Sequence, residues 1–218
     1  MKRNGKRVLF ILFSILPILM VMSVYGRLPE QVPMQWNLDG ISRYGAKREL
    51  FFVAGLNLLF GILMPILAKI DPKRKNYPRF QETYEWFVLL LLGFLTAMMG
   101  LALTEILHPG RIAMQKVVYG FVAVLFILLG NRMPKLKQNF FMGIKTPWTL
   151  SSDDVWNKTQ RLGGKVFFFG GIVMLLLLFV TEGRVTTFVT FAVAIVICAL
   201  PMGMSYFWYR QEERKGIE

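Results

Sequence analysis

Six apolar segments divide the chain, and a more polar stretch follows each of them. A helix needs about 20 consecutive apolar residues to cross the ~30 Å hydrocarbon core of a bilayer. Because lipid offers the backbone no hydrogen-bonding partner, each segment is predicted to be a membrane-spanning α-helix. The pattern therefore predicts an all-α integral membrane protein with six transmembrane helices, at residues 8–25, 50–70, 86–107, 112–130, 166–180 and 185–209.

The fourth and fifth segments are the shortest of the six. Their most apolar parts, residues 117–130 and 166–180, fall short of ~30 Å at ~1.5 Å per residue. The long stems of Lys116 and Lys165 can reach the headgroup region, which would let both helices extend past these lysines. We expect two full spans, with partly re-entrant segments as the alternative.

The composition excludes a soluble protein. Hydrophobic residues make up 55% of the 218 residues, and charged residues make up 18%. A soluble domain of this length could not bury so many apolar side chains.

The basic residues predict the direction of the spans. The chain has 26 Lys and Arg against 13 acidic residues, a net charge of +13. Cytoplasmic loops of membrane proteins carry an excess of Lys and Arg, and placing both termini in the cytosol puts 19 of the 26 on that side. We therefore predict a multi-pass plasma-membrane protein with both termini inside. Basic loops beside the spans would meet membrane lipid, so lipid rather than nucleic acid is the expected partner.

Two loops are long enough to carry a function, residues 26–49 outside and residues 131–165 in the cytosol. Each follows the first span of a three-span half, which predicts an N-terminal half at residues 1–110 and a C-terminal half at residues 111–218.

The outer loop contains residues that favour a turn. Pro33 opposes helix, and Asn37 and Gly40 are common in turns. Trp36, after Gln35, suits the headgroup level of a membrane. The loop is therefore either a rigid outer turn with an aromatic anchor or the lip of a receptor for an extracellular ligand.

The cytosolic loop contains the pattern of a helix start. Ser151 precedes Asp154 by three residues, a close variant of the capping box, and Gly163 and Gly164 would end or kink the helix before span five. The pattern predicts a short amphipathic helix in the inner membrane interface between spans four and five. The alternative is a docking surface or gate, built around Lys145, Thr146, Pro147, Trp148 and Trp156.

The segment FMGIKTPWTLSSDDVWNKTQRLGGK resembles the signature of the Sdp immunity-protein family of bacterial membrane proteins. The outer LPEQVPMQWNLDG is similar to a domain of unknown function often joined to that family. There Gln35 stands where many relatives have His, which weakens any reading of the outer loop as a metal site. The residues of the cytosolic signature that match are Asn131, Gly143, Ile144, Lys145, Thr146, Pro147, Trp148, Thr149, Leu150, Val155, Trp156, Lys158 and Arg161.

The resemblance implies an immunity protein that protects a bacterium from a secreted peptide toxin. The family's namesake is also a signalling receptor, which holds a transcriptional repressor at the membrane once it is loaded with toxin. The resemblance therefore implies two partners, a secreted peptide toxin and a cytosolic repressor, with the matched residues as candidate contacts.

Two polar residues inside the spans, Asn57 and Glu105, are candidates for a role in the membrane. Asn57 is expected to form an interhelical hydrogen bond, and Glu105 could pair with His108 or Arg111. Both would also suit the alternative function, a small multi-pass transporter or exporter. Because the chain has one His and one Cys, we predict no enzymatic activity, no metal and no cofactor.

Overall fold

Helices account for most of the chain in the computed structural model, which describes residues 3–37 and 40–216. Six helices in this part of the chain are long and apolar enough to cross a membrane, which confirms the six predicted spans by length and composition. Their direction through the membrane stays a prediction. The helices are α1 Arg3–Val24, α2 Glu49–Ile70, α3 Gln81–Leu107, α4 Met114–Arg132, the short α5 Pro147–Ser151, α6 Asp153–Val180 and α7 Gly183–Lys215.

The long helices expose many large apolar side chains. Phe52, Phe179 and Phe188 are 75%, 86% and 69% exposed. A water-soluble monomer rarely leaves so much apolar surface uncovered, whereas lipid would cover it in a membrane.

The predicted short helix before span five is not a separate element. Helix α6 runs for 28 residues from Asp153 to Val180 without a break at Gly163 and Gly164. A Cβ on Gly164 would lie 2.8 Å from the Pro134 ring and 2.9 Å from the Gly130 carbonyl oxygen. The glycines therefore permit close packing and do not end the helix. The interfacial position of its first turns stays a prediction.

The outer loop corrects the prediction of an all-α protein. Strands β1 Gln31–Asn37 and β2 Gly40–Ala46 form an antiparallel hairpin, in which Val32 lies opposite Gly45 and Pro33 opposite Tyr44. Pro33 is tolerated in β1 because each strand of a two-stranded sheet has one free edge. A residue whose N–H would face that edge forms no hydrogen bond with the other strand, so proline loses none there. Register shifts on either side of Gln35 mark an irregularity in β1.

The chain forms two compact units, each made of separated segments. Unit 1 contains Met1–Ile66 and Val88–Val118, and unit 2 contains Leu67–Phe87 and Tyr119–Glu218. The division into halves near residue 110 stays a prediction.

Unit 1 has an apolar core between its helices and the hairpin. The core joins residues from α1, β1, α2 and α3, and continues into Tyr25 and Phe51, whose ring centroids are 5.3 Å apart. Its buried members are Val21, Leu28, Val32, Leu50, Ala54, Met99, Leu103 and Ile106.

Unit 2 is held together by close approaches of α4, α6 and α7. Ala123, Met174 and Ile197 form its buried apolar core. A Cβ on Gly171 of α6 would lie 2.6 Å from the Ala123 carbonyl oxygen, so only glycine allows α4 and α6 to approach this closely.

Candidate functional site

Most signature residues lie in a loop of unit 2, residues 133–151, which contains α5 and which we call the motif loop. The others lie on the flanking helices, Asn131 on α4 and Val155, Trp156, Lys158 and Arg161 on α6. The motif loop connects α4 to α6 and is folded by buried side-chain hydrogen bonds. The Asn139 side chain, fully buried, accepts bonds from the backbone N–H of Phe141 at 2.9 Å and of Met142 at 2.6 Å. One side chain thus holds a turn that has no regular secondary structure.

Gly143 follows this turn with a φ of +94°, a conformation that favours glycine. A Cβ here would also lie 2.8 Å from the Gln160 amide oxygen. The same Gln160 amide accepts from the Ile144 N–H at 3.1 Å and donates to the Ile144 carbonyl at 2.9 Å. Gln160 lies on α6 and is 1% exposed. Its side chain therefore holds both backbone polar groups of Ile144, the N–H and the carbonyl.

Thr146 and Thr149 build the start of α5. The Thr146 hydroxyl accepts from the Thr149 N–H at 3.2 Å, and the Thr149 hydroxyl accepts from the Thr146 N–H at 2.8 Å. This reciprocal capping box, with Pro147 at the first helical position, explains the Thr-Pro-x-Thr order of the motif. The Thr146 hydroxyl also lies 3.0 Å from the Ser205 hydroxyl, which fixes α5 against α7.

The two tryptophans of the signature have different surroundings. Trp156 is 1% exposed and donates its indole N–H to the Leu136 carbonyl at 3.0 Å. Trp148 is partly exposed, and its ring lies against Tyr206 of α7 with centroids 5.0 Å apart. Trp156 therefore belongs to the core beneath the motif loop, whereas Trp148 lies at its surface.

The loop between α2 and α3, residues 71–80, is attached to the motif loop through Asp71. This fully buried carboxylate accepts from the Tyr77 hydroxyl at 2.8 Å and from the Phe140 N–H at 2.9 Å. It also accepts from the Lys73 N–H at 2.6 Å. Burial, and then the hydrogen bond to Asp71, raise the pKa of Tyr77 far above its usual value.

A second bond joins the same two loops. The Asn76 side chain donates to the Gln138 carbonyl at 2.9 Å, and the Gln138 side chain donates to the carbonyls of Thr149 at 2.9 Å and Leu150 at 3.0 Å. Residues 71–80 and the motif loop therefore form one hydrogen-bonded network, which we call the loop network.

The remaining signature residues are exposed around this network. Lys145 donates to the Phe140 carbonyl at 3.1 Å, and Lys158 forms an ion pair with Asp154 on the same face of α6. Asn131, Pro147 and Arg161 are also exposed. The structure thus divides the signature into buried residues that hold the loop and exposed residues, of which Lys145, Lys158 and Arg161 are basic.

The candidate residues of the outer loop lie on the hairpin in unit 1. Gln35 is exposed and Pro33 is partly buried, and the backbones of Trp36 and Asn37 pair with those of Ile41 and Gly40. The side chains at positions 36–40, and thus the predicted aromatic anchor, lie outside the described part of the structure.

Two acidic residues tie the hairpin to its neighbours. Glu49, at the start of α2, accepts from the Ala46 N–H at 3.0 Å and pairs with Arg43 at 2.9 Å. Glu30 pairs with Lys47 at 2.9 Å, and this hydrogen bond raises the pKa of the Lys47 amine above its usual value. The carboxylate of Glu49 also suits the positive end of the helix.

The two polar residues inside the spans of unit 1 have different partners. The Asn57 amide donates to the Phe13 carbonyl at 2.9 Å, the Leu92 carbonyl at 3.0 Å and the Thr96 hydroxyl at 2.9 Å, so the interhelical bond predicted for Asn57 is present. Glu105 accepts from the Gly110 N–H at 2.8 Å, and its second oxygen is buried without a hydrogen bond. The bonds of Asn57 are all internal, which does not favour a polar transport path.

Within residues 3–37 and 40–216, no group of three or more His, Cys, Asp or Glu residues could hold a metal ion. The loop network contains one carboxylate, amides and hydroxyls that bond to one another. Such an arrangement fixes a backbone surface.

Several residues of the network were missed by the sequence analysis. Asp71, Asn76, Gln138, Asn139 and Gln160 have no periodicity or spacing that distinguishes them from ordinary loop residues. One signal was available: Gln138 and Asn139 are polar residues that precede Phe140 and Phe141 directly in a short loop.

Comparison with known proteins identifies both parts of the chain. Residues 135–205 match the SdpI/YfhL protein family, and residues 12–58 match a domain of unknown function, DUF1648. The chain is 24% identical over 208 residues to "Immunity protein SdpI" of Bacillus subtilis (strain 168), covering 94% of this chain and 97% of the relative. No solved structure matches the chain. The chain is a multi-pass bacterial membrane protein in which residues 135–205 match the SdpI/YfhL protein family and DUF1648 precedes that region.

Proposed function

We propose that this chain is a membrane immunity protein, which confers resistance to a secreted antimicrobial peptide toxin. The observation that carries the proposal is the similarity to an immunity protein over nearly the full length of both chains. Similarity across both matched domains, and not in a single motif, supports a shared role for the whole molecule.

The proposed orientation has both termini in the cytosol. It follows from the distribution of the basic residues and places the hairpin outside and the loop network inside. The first turns of α6, with Asp154 and Lys158 exposed, would then lie in the inner membrane interface.

The two faces have different proposed partners. The hairpin, with exposed Gln35 and neighbouring Trp36, is the proposed contact for the toxin at the outer surface. The exposed signature residues Lys145, Lys158 and Arg161 are the proposed contact for a soluble cytosolic protein, a transcriptional repressor held at the membrane. The buried hydrogen bonds of the loop network support this role, because a surface held in one conformation loses little entropy on binding.

A toxin-challenge assay tests the proposed immunity. Bacteria that lack an immunity gene are transformed with this gene or with an empty vector and exposed to a secreted peptide toxin of the kind that family members resist. Higher survival with the gene is expected. Equal killing, with the protein detected in the membrane fraction, would contradict the proposal.

Paired variants separate the two proposed faces. Trp36→Ala is expected to lower survival in the toxin challenge. The double variant Lys145→Gln with Arg161→Gln is expected to keep survival, but the repressor should no longer be found in the membrane fraction after toxin is added. Arg74→Gln with Lys75→Gln, both exposed, provides the matched loss of two positive charges outside the signature. If the double variant and this control recover the repressor equally, the exposed signature residues are not its contact.

A further inference from the structure

The end of α7 changes abruptly from apolar to charged. Four aromatic residues, Tyr206–Tyr209, precede a segment of five charged residues and one glutamine, residues 210–215. Tyr and Trp collect at the headgroup level of membrane proteins. The last turns of α7 therefore lie among the lipid headgroups, and the residues before them lie among the acyl chains.

A groove opens at this level. It has a volume of about 490 Å³ and is lined by Arg210, Glu213, Arg214 and Gly216. Tyr206, Arg210 and Arg214 follow one another at intervals of four, so they share one face of α7. The two guanidinium groups of the groove therefore lie on the same face of α7 as the Tyr206 ring.

The charges of the groove are only partly neutralised. Arg210 donates to the Glu213 carboxylate at 3.0 Å, and the Arg210 side chain is 55% exposed. Within the part of the chain that the structure describes, Arg214 forms no ion pair and is exposed. The lining thus has a net positive charge and at least one guanidinium whose donors face solvent.

The turn of α7 that precedes the groove is held in place by α5. The Trp148 ring lies 5.0 Å from the Tyr206 ring, and the Thr146 and Ser205 hydroxyls are 3.0 Å apart one residue earlier on α7. Met202 and Phe207, farther from the charged end, are 46% and 54% exposed. A molecule that extends from the groove along α7 would meet guanidinium groups in the groove and exposed apolar side chains beyond it.

We propose that this groove binds the headgroup of an anionic phospholipid. The planar guanidinium groups of Arg210 and Arg214 match the oxygens of a phosphodiester, with which arginine forms paired hydrogen bonds. The acyl chains lie along Met202, Tyr206 and Phe207. A free phosphate would use only the guanidinium groups, whereas the exposed Met202, Tyr206 and Phe207 on the preceding turns of α7 fit the acyl chains of a lipid.

The carboxylate of Glu213 makes a distinctive prediction. It neutralises Arg210 and repels an anionic headgroup, so its removal would strengthen binding of an anionic lipid. A zwitterionic ethanolamine headgroup, by contrast, would use Glu213 for its ammonium group, and removal of the carboxylate would weaken its binding.

The experiment measures lipid retention by the purified full-length protein with native mass spectrometry, in detergent supplemented with phosphatidylglycerol, phosphatidylethanolamine or phosphatidylcholine. Arg214→Gln is expected to reduce the affinity for phosphatidylglycerol about fivefold, as for one basic side chain near an anionic surface. Glu213→Gln is expected to increase it. Lys137→Gln removes a charge from the motif loop, outside the groove, and is expected to leave it nearly unchanged.

Four results would overturn the proposal. Equal losses in Arg214→Gln and Lys137→Gln would indicate unspecific attraction between charges. A preference for phosphatidylethanolamine that Glu213→Gln abolishes would identify a zwitterionic ligand. Displacement of phosphatidylglycerol by excess inorganic phosphate would identify a free-anion site. Equal retention of all three lipids would exclude a headgroup site. None of these measurements depends on resistance to a toxin, so the two proposals can fail separately.

Discussion

Replacing Asp71 tests whether the loop network is held by one buried carboxylate. Asp71→Ala removes the acceptor of the Tyr77 hydroxyl and of the Phe140 N–H. It also removes the acceptor of the Lys73 N–H, but Lys73 is exposed, so water can replace that bond. Tyr77 is buried, so water cannot replace the lost bond without a rearrangement. The substitution should therefore release residues 71–80 from the motif loop while leaving the helices in place.

The magnitude follows from the number of donors left without an acceptor. A buried donor without a partner costs about 1–3 kcal/mol, and Phe140, which is 38% exposed, should add less than the buried Tyr77. Together they give roughly 3 kcal/mol for local opening. That value corresponds to an increase of about a hundredfold in the open population. Asp71→Asn retains one acceptor oxygen and should cost about half as much, and Tyr77→Phe, which removes a single donor, should cost least.

Limited trypsin digestion of the purified protein in detergent measures this opening. Lys135 and Lys137 lie in the motif loop and are exposed as side chains, yet cleavage requires the backbone to leave its folded conformation. At low protease concentration the cleavage rate follows the open population. We expect the order Asp71→Ala, Asp71→Asn, Tyr77→Phe, wild type, from fastest to slowest. Cleavage of Asp71→Ala at the wild-type rate would refute the reasoning.

Three further predictions concern packing, membrane hydrogen bonds and pH. Gly130→Ala should lower the thermal stability in detergent by several degrees. Its Cβ would lie 2.5 Å from the Phe168 N and 2.6 Å from the Gly164 carbonyl oxygen, and these backbone atoms cannot move away as a side chain can. Gly120→Ala on the same helix is the control and should be neutral, because its Cβ would lie 3.7 Å from the nearest side chain. Asn57→Leu should cost only about 1 kcal/mol in an unfolding titration, since interhelical hydrogen bonds in membranes are weak, and a loss several times larger would contradict this. Above about pH 10 the unfolded chain releases the Tyr77 proton that the folded protein keeps, so the free energy of unfolding should fall as pH rises, and Tyr77→Phe should show a smaller fall in the same titration.

The sequence predicted the membrane-spanning helices well because their signal is local. A segment that is apolar over the thickness of a bilayer has few alternatives to a helix, whatever the rest of the chain does. The same argument succeeded for Asn57, since a polar side chain in an apolar helix must find a partner in a neighbouring helix. The separate helix before span five was wrong because Gly163 and Gly164 have two possible uses, ending a helix or permitting close packing, and only their neighbours decide between them.

The candidate site was predicted in part. Thr146, Pro147 and Thr149 could be recognised from a signature, and the structure adds that the two threonines form a reciprocal cap. Trp148 and Trp156 looked equivalent in the sequence, yet one lies at the surface and the other is buried beneath the loop. Exposure depends on which side of the motif loop meets α6, and no local pattern contains that information.

By itself, the sequence determined that the chain has six apolar helices of membrane-spanning length and which family signature it resembles, because hydrophobic length and a short motif can be read from neighbouring residues. Only the tertiary structure decided which polar residues hold the motif loop. Asp71 and Phe140 are 69 positions apart, and Ile144 and Gln160 are 16 apart. A buried hydrogen bond requires two groups within about 3 Å, and the folding of the intervening chain sets that distance.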